Sequence, residues 1–227
     1  MDFFTRLKNS SFLTFNYDAL VEIFLYRLNH WNPHDGFGCQ VESNYYGTQE
    51  EKTNILYNSS KSFVIHLHGS LNILTSKLDI IEERTNYTLV KPKEASFIFD
   101  PQTPLFHPKY DSVSPKIAFE NIENRIIVPI PDKTEGLKKD FISKMYSKAL
   151  ELMNNTNQII VIGYNFSEHD KSSYDSLLNK YKYKILIISP NAEEIKRRLN
   201  NEYNKIQWNC ENTTFKNWVS NGFAGLN

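Results

Sequence analysis

Five short apolar runs constrain this chain more than any other feature of its sequence: Phe12–Phe15, Phe63–Leu67, Ile126–Val128, Ile159–Ile162 and Ile185–Ile188. Each is close to continuous instead of alternating with polar residues. A strand with one wet face alternates; a strand covered on both faces does not, so these runs predict the buried strands of a parallel sheet.

Helical periodicity fills several of the intervals. From Ala19 to Leu28, apolar residues at Leu20, Val21, Phe24, Leu25 and Leu28 form a stripe, with Asp18 in N-cap position. Phe141 to Met153 repeats the pattern, and Asn191 is placed to cap Ala192–Leu199, where Ile195 and Leu199 lie four apart. Strands alternating with helices predict an α/β fold, a Rossmann-like, doubly wound and mostly parallel sheet. The alternation is clearest from Ile159 onward.

Two stretches break the alternation. Positions 29–62 are rich in Asn, Gly and Tyr, and 72–124 carry Pro92, Pro101, Pro104, Pro108 and Pro115. They read as insertions into a single domain spanning 1–227. The expected product is a smaller, mainly helical or irregular lobe with Phe97, Phe99 and Phe106 as its small core.

Composition narrows the function classes. Hydrophobic residues make up 40% of the 227 and aromatics 14%, enough for a packed globule. Twenty-six basic residues balance twenty-six acidic ones, so net charge gives no direct signal for nucleic acid or an anionic membrane. No run of about eighteen apolar residues occurs, and the start lacks the apolar stretch and cleavage site of a signal peptide, which predicts a cytoplasmic protein with no membrane partner. The cysteines are Cys39 and Cys210, too few for a four-thiolate zinc site or a disulfide framework. The N-x-S/T triplets at Asn58 and Asn86 read as chance in an asparagine-rich chain without export.

In an open α/β sheet, ligands bind beyond the C-terminal ends of the strands. The residues to inspect are therefore Asn16-Tyr17-Asp18, His68-Gly69-Ser70, Gly163-Tyr164-Asn165 and Ser189-Pro190-Asn191. Four motifs at these points resemble those of the SIR2-like family, relatives of the sirtuins that include NAD-consuming effectors of bacterial anti-phage systems. "TFNYD" (Thr14–Asp18) is similar to the sirtuin T-x-N-x-D segment, and "HLHGS" (His66–Ser70) to the catalytic L-H-G segment. "VIGYNFSEHD" (Val161–Asp170) resembles the strand and loop under the adenosine half, and "IISPNAEE" (Ile187–Glu194) the later adenine-ribose loop.

The resemblance implies cleavage of the nicotinamide–ribose bond of NAD, with NAD as substrate and no metal. Such a cleavage passes through an oxocarbenium-like state, so the site needs a holder for the ribose hydroxyls, a proton acceptor and a dry pocket. By resemblance, His68 is the base, Asn16 orients ribose or the attacking water, and Asp18 contacts the carboxamide. Thr14, Gly69 and Ser70 belong to the same pocket, and Gly163, Tyr164, Asn165 and Asn191 to the adenosine side. A homo-oligomer or a defence-system partner protein is implied as well.

Plainer roles compete at each position. Asp18 and Asn191 are natural helix caps, Gly163 a natural strand-end turn, His66 a hydrogen-bonded supporting histidine, and His169 and Asp170 solvated or capping residues. The pattern also departs from the family's. No glycine occurs among the thirteen residues before Thr14, where the family carries a glycine-rich phosphate-binding loop, and the glycine pair of "GFG" (Gly36–Gly38) is a poor phosphate cradle. The first strand–helix unit is lost, or the true start lies upstream, or another segment or a partner chain supplies the phosphate contacts. The zinc ribbon of protein-deacetylating sirtuins is missing too, which favours NAD itself over an acyl-lysine substrate. The sequence thus supports an NAD hydrolase first, a module that binds NAD or ADP-ribose without turnover second, and a structural subunit of a defence complex third.

Overall fold

The computed structural model of the chain describes residues 2–7, 9–32, 35–38, 42–45, 59–76, 82–84, 87–89, 96–99, 122–126 and 140–225. Cys39, Asn58, Asn86, the five insertion prolines, Phe106 and positions 127–128, which carried expectations above, lie outside them. The described residues fall into two compact units, one drawn from positions 1–128 and 135–148, the other from 129–134 and 149–227.

The first unit opens with a short helix, α1 (Asp2–Arg6), and then β1 (Phe12–Thr14). Phe4 of α1 stacks on Phe24 with ring centroids 4.9 Å apart. Phe24 belongs to α2 (Leu20–Arg27), which ends in a hydrogen-bonded reversal: Asn29 takes the left-handed conformation, its N–H donates to the Tyr26 carbonyl and that of His30 to the Leu25 carbonyl. Asparagine tolerates that conformation better than most residues, so the helix stops there.

The buried face of α2 differs from the predicted stripe. Ala19, Glu22, Ile23 and Leu25 are buried, whereas Leu20 is 45% exposed. The expectation rested on the apolar stripe; a carboxylate displaces part of it because a histidine from a distant strand pairs with it in the core.

β2 (Glu42–Tyr45), β3 (Val64–His66) and β4 (Gly69–Ser76) follow, then β5 (Glu82–Arg84), β6 (Tyr87–Leu89), β7 (Ser96–Phe99) and β8 (Ile122–Ile126). β1 and β3 pair in parallel, in the register Phe12↔Val64, Leu13↔Ile65, Thr14↔His66. The first two apolar runs therefore pair in parallel, as parallel-sheet strands. At Gly69 the chain turns out of this pair into β4, with φ +79°, a conformation that favours glycine.

The two insertions are where the fold departs from expectation. Strands stand where a mainly helical or irregular lobe was expected: β2 and β7 are parallel neighbours, and with β4 and β8 they make a mixed four-stranded sheet in the order β2-β7-β4-β8. β5 and β6 form an antiparallel hairpin. Segments such as Glu82–Arg84 and Ile122–Ile126 are short and polar, so neither period nor propensity marks them. The run read as starting at Ile126 is the end of β8, which pairs antiparallel with β4.

The "GFG" turn is a packing device. The Gly36 N–H donates to the Asn32 carbonyl, and the Gly36 carbonyl accepts from the N–H of Val64 in β3. A Cβ on Gly36 would lie 2.1 Å from Trp31 Nε1 and 2.5 Å from the Asn32 oxygen, so close approach, not phosphate, demands glycine here.

α3 (Asp140–Asn154) leads into the second unit, a parallel three-stranded sheet in the order β11-β10-β9. Its elements run β9 (Gln158–Ile162), a 3₁₀ turn at Glu168–Asp170, α4 (Lys171–Leu178), β10 (Lys184–Ile188), α5 (Ala192–Asn200), β11 (Gln207–Glu211) and α6 (Phe215–Ser220). This is the strand–helix alternation the sequence announced, with one unannounced strand. β11 reads Gln-Trp-Asn-Cys-Glu, too polar to register as an apolar run.

The continuous run of β10 has its predicted cause, since Ile185, Leu186, Ile187 and Ile188 are all buried in mid-sheet. Each such side chain is stabilised by roughly 1.5–3 kcal/mol relative to exposure. α5 packs Ala192, Ile195 and Leu199 inward and sets Glu193 and Glu194 in its first turn and Arg197 and Arg198 in its last, the arrangement the helix dipole favours.

Candidate functional site

Parallel pairing of β1 with β3 brings the strand ends together, and the two segments beyond them are tied almost residue by residue. The Leu67 N–H donates to the Thr14 carbonyl at 2.9 Å. His66 Nδ1 donates to the Asn16 carbonyl at 2.9 Å, and the Ser70 hydroxyl to that of Tyr17 at 3.2 Å. The Phe15 and His68 rings meet edge to face with centroids 4.8 Å apart. Thr14–Asp18 and His66–Ser70, some fifty positions apart in the chain, thus form one surface of the first unit.

Within it, the groups differ in what they offer. His68 is 3% exposed and Ser70 fully buried, whereas the Asn16 side chain is exposed. The Asn16 N–H is used by Thr14 Oγ1 at 3.0 Å, so the backbone of this exposed residue is held at both its N–H and its carbonyl. Asp18 Oδ1 accepts the N–H of Leu20 at 3.1 Å, one position away from the expected capping arrangement, with Ala19 at the cap itself. The buried Ser70 hydroxyl serves the Tyr17 carbonyl, which gives it a bracing task.

The sequence reading missed Glu22. Its side chain is fully buried in the first turn of α2, where Oε1 pairs with His66 Nε2. His66 therefore faces an acceptor on each ring nitrogen, the Asn16 carbonyl and the Glu22 carboxylate. A carbonyl only accepts, so Nδ1 carries a proton, and a proton on Nε2 as well completes the pair. Burial pulls the imidazole pKa down and is the largest single influence; the Glu22 charge and hydrogen bond, the Asn16 carbonyl and the Asp18 charge together outweigh it, and the result lies above the ordinary 6.5. The sequence holds a faint signal for the pair: a lone carboxylate inside an apolar helical run and a histidine inside an apolar strand.

The remaining predicted residues lie in the second unit, at the C-terminal ends of β9 and β10. Gly163 is exposed with φ +65°, and a Cβ there would meet nothing within 4 Å, so backbone conformation alone accounts for the glycine. The Tyr164 hydroxyl donates to Asp170 Oδ2 at 3.1 Å, and its ring packs on Phe166 at 4.9 Å. Arg198 of α5 donates to the carbonyls of Asn165 and Phe166, the latter at 3.0 Å, bracing a loop in which Phe166 takes a positive φ of 52°. Ser167 Oγ accepts the His169 N–H at 3.2 Å, so His169 sits in a capped turn.

Asn191 holds the cap position of α5 but does not cap it with its side chain. Asn212, beyond β11, does so instead, its Oδ1 accepting the Glu193 N–H at 3.1 Å. A partner nineteen positions downstream is invisible to a cap rule that reads adjacent residues.

Among the described residues, no three His, Cys, Asp or Glu side chains gather as metal ligands would, and no helix is long and apolar enough to cross a membrane. Compared with known protein families, curated proteins and solved structures, the chain matches none. The chain contains helices and parallel sheets, and in each unit its chemistry-bearing residues cluster at strand ends.

Proposed function

We propose that the chain is a SIR2-like domain of Rossmann-like, doubly wound design that hydrolyses NAD to nicotinamide and ADP-ribose. In this reading the C1′–N bond to nicotinamide breaks with its electron pair, nicotinamide leaves as a neutral base, and water adds at C1′. His68 takes a proton from the ribose hydroxyls or from that water. Asn16 holds the ribose or the water, and Asp18 the carboxamide. The observation that carries the proposal is the lacing of Thr14–Asp18 to His66–Ser70: an exposed asparagine held by its own backbone and, on the segment laced to it, a nearly buried imidazole against an aromatic ring, at parallel strand ends. The assignment of Gly163, Tyr164, Asn165 and Asn191 to the adenosine half rests on motif order. A cytoplasmic setting, an oligomer or defence-system partner, and an effector role in phage defence rest on the family analogy.

The test is nicotinamide released from NAD by the purified chain at high concentration, beside His68→Ala and Asn16→Ala. Release by the parent and its loss in both folded variants is the expected result. No release at long times, with saturable ADP-ribose binding, would replace hydrolysis by nucleotide binding; neither would leave a structural subunit.

A further inference from the structure

The proposed chemistry uses His68 and leaves the most deeply buried titratable groups of the first unit without a task. Glu22 and His66 are both fully buried, and Glu22 Oε2 makes no hydrogen bond among the described residues. A buried ion pair with an unmatched oxygen is an expensive arrangement that an apolar pair of similar volume would match or better in stability. Its retention calls for another reason.

Geometry supplies one. His66 is the last residue of β3, two positions before His68, and its Nδ1 holds the carbonyl of Asn16, whose N–H is held by Thr14. Glu22 grips the opposite nitrogen from the first turn of α2, and the Asp18 carboxylate engages the start of the same helix through the Leu20 N–H. The imidazole is thus a cross-brace between helix, strand end and the Asn16–Asp18 segment.

We propose that Glu22 and His66 are positioning residues, a proton-linked brace that holds the Asn16 backbone on the strand-end segment laced to the one that carries His68; the inference rests on the NAD hydrolase reading for its activity readout. The groups that face the His66 ring among the described residues are Glu22 from α2, Asp18 and the Asn16 carbonyl from the segment after β1, and the Phe37 ring, whose centroid lies 6.1 Å away. With both nitrogens protonated both hydrogen bonds of the ring are donations. When the Nε2 proton leaves, its lone pair confronts Oε1, the carboxylate loses its partner, and the first turn of α2 and the Asn16–Asp18 segment move. Burial pulls the pKa of His66 down, but the Glu22 carboxylate, the Asn16 carbonyl and the Asp18 charge together outweigh it, so this loss falls on the alkaline side of 6.5.

Two measurements test the brace. The first is the pH profile of nicotinamide release for the parent, Glu22→Gln and Glu22→Asp, each verified as folded. Glu22→Gln is expected to lower kcat by roughly tenfold to a hundredfold, the scale on which small misplacements of a reacting group cost rate. KM changes little, the alkaline limb that tracks His66 disappears, and Glu22→Asp recovers part of kcat. The second needs no substrate: NMR titration of the histidine ring nitrogens and of the Asn16 and His68 amide signals. In the parent, the Asn16 signals move with the His66 midpoint; in Glu22→Gln that shared midpoint is gone. If the parent turns over and folded Glu22→Gln keeps its kcat and pH profile, the inference is overturned. If the parent releases no nicotinamide, the hydrolase reading fails on its own and the titration decides the brace: a shared midpoint upholds it, and independent behaviour of Asn16 and His66 overturns it.

Discussion

Replacing Glu22 by leucine fills nearly the same volume and leaves the His66 imidazole fully buried, with no acceptor for Nε2. Breaking a buried pair by removing one partner costs about 3–5 kcal/mol. For a chain of this size that shift corresponds to a melting temperature lower by about 6–20 °C. The double variant Glu22→Leu/His66→Phe removes both charges, and its residual loss is the donor to the Asn16 carbonyl, a hydrogen bond of about 0.5–1.5 kcal/mol. The second substitution is therefore expected to restore about 2 kcal/mol or more of what the first removes.

Urea unfolding followed by circular dichroism at several pH values reads all of this. The folded pKa of His66 lies above its unfolded 6.5, so between the two the native state holds the extra proton. Stability from the pair is complete below about 6.5 and declines as pH rises through the folded pKa, by at most about 1.4 kcal/mol per pH unit. In Glu22→Leu only burial acts strongly on the imidazole, so the slope reverses and stability falls as pH falls. A single variant that loses less than about 1 kcal/mol, or a double variant as unstable as the sum of its singles, would refute the buried-pair account.

Gly38→Ala is expected to cost on the order of 2–4 kcal/mol, since φ is +76° and a Cβ would sit 2.2 Å from Lys148 Cγ and 2.9 Å from its Cβ; thermal melts of the first unit check this. Asn212→Ala should destabilise α5 by about 0.5–2 kcal/mol and Asn191→Ala by much less, because Asn212 is the residue that caps it. Equal losses on denaturation would contradict that assignment. Arg198→Ala removes the guanidinium donor from the carbonyls of Asn165 and Phe166 at an exposed position, leaving Phe166 the hydroxyl of Tyr174. Faster amide exchange at 163–167 with an almost unchanged melting temperature is the expected result, and unchanged exchange would show the brace to be idle.

Much of the candidate site was legible because its signals are local. Asn16, Asp18, His68 and Gly163 each follow an apolar run, and the rule that ligands meet strand ends selects them without any knowledge of pairing. The continuous runs at Phe12, Phe63, Ile159 and Ile185 announced parallel strands; β3 and most of β10 are buried as expected, whereas β1 and β9 are only half-buried. β11 and the strands of the insertions escaped because their partners, not their own composition, make them strands; Gln207–Glu211 is held by its register with β10.

The sequence by itself determined the α/β alternation of the second unit, the approximate positions of α3 and α5 and the strand ends at which chemistry-bearing residues gather, because hydrophobic period and turn chemistry act over a few neighbouring residues. Only the tertiary structure decided that Glu22 faces inward to meet His66, that Asn212 rather than Asn191 caps α5, and that the insertions join in one mixed sheet. Each of those outcomes depends on a partner nineteen or more residues away in the chain, and the free energy of burying a polar group is set by what that partner supplies.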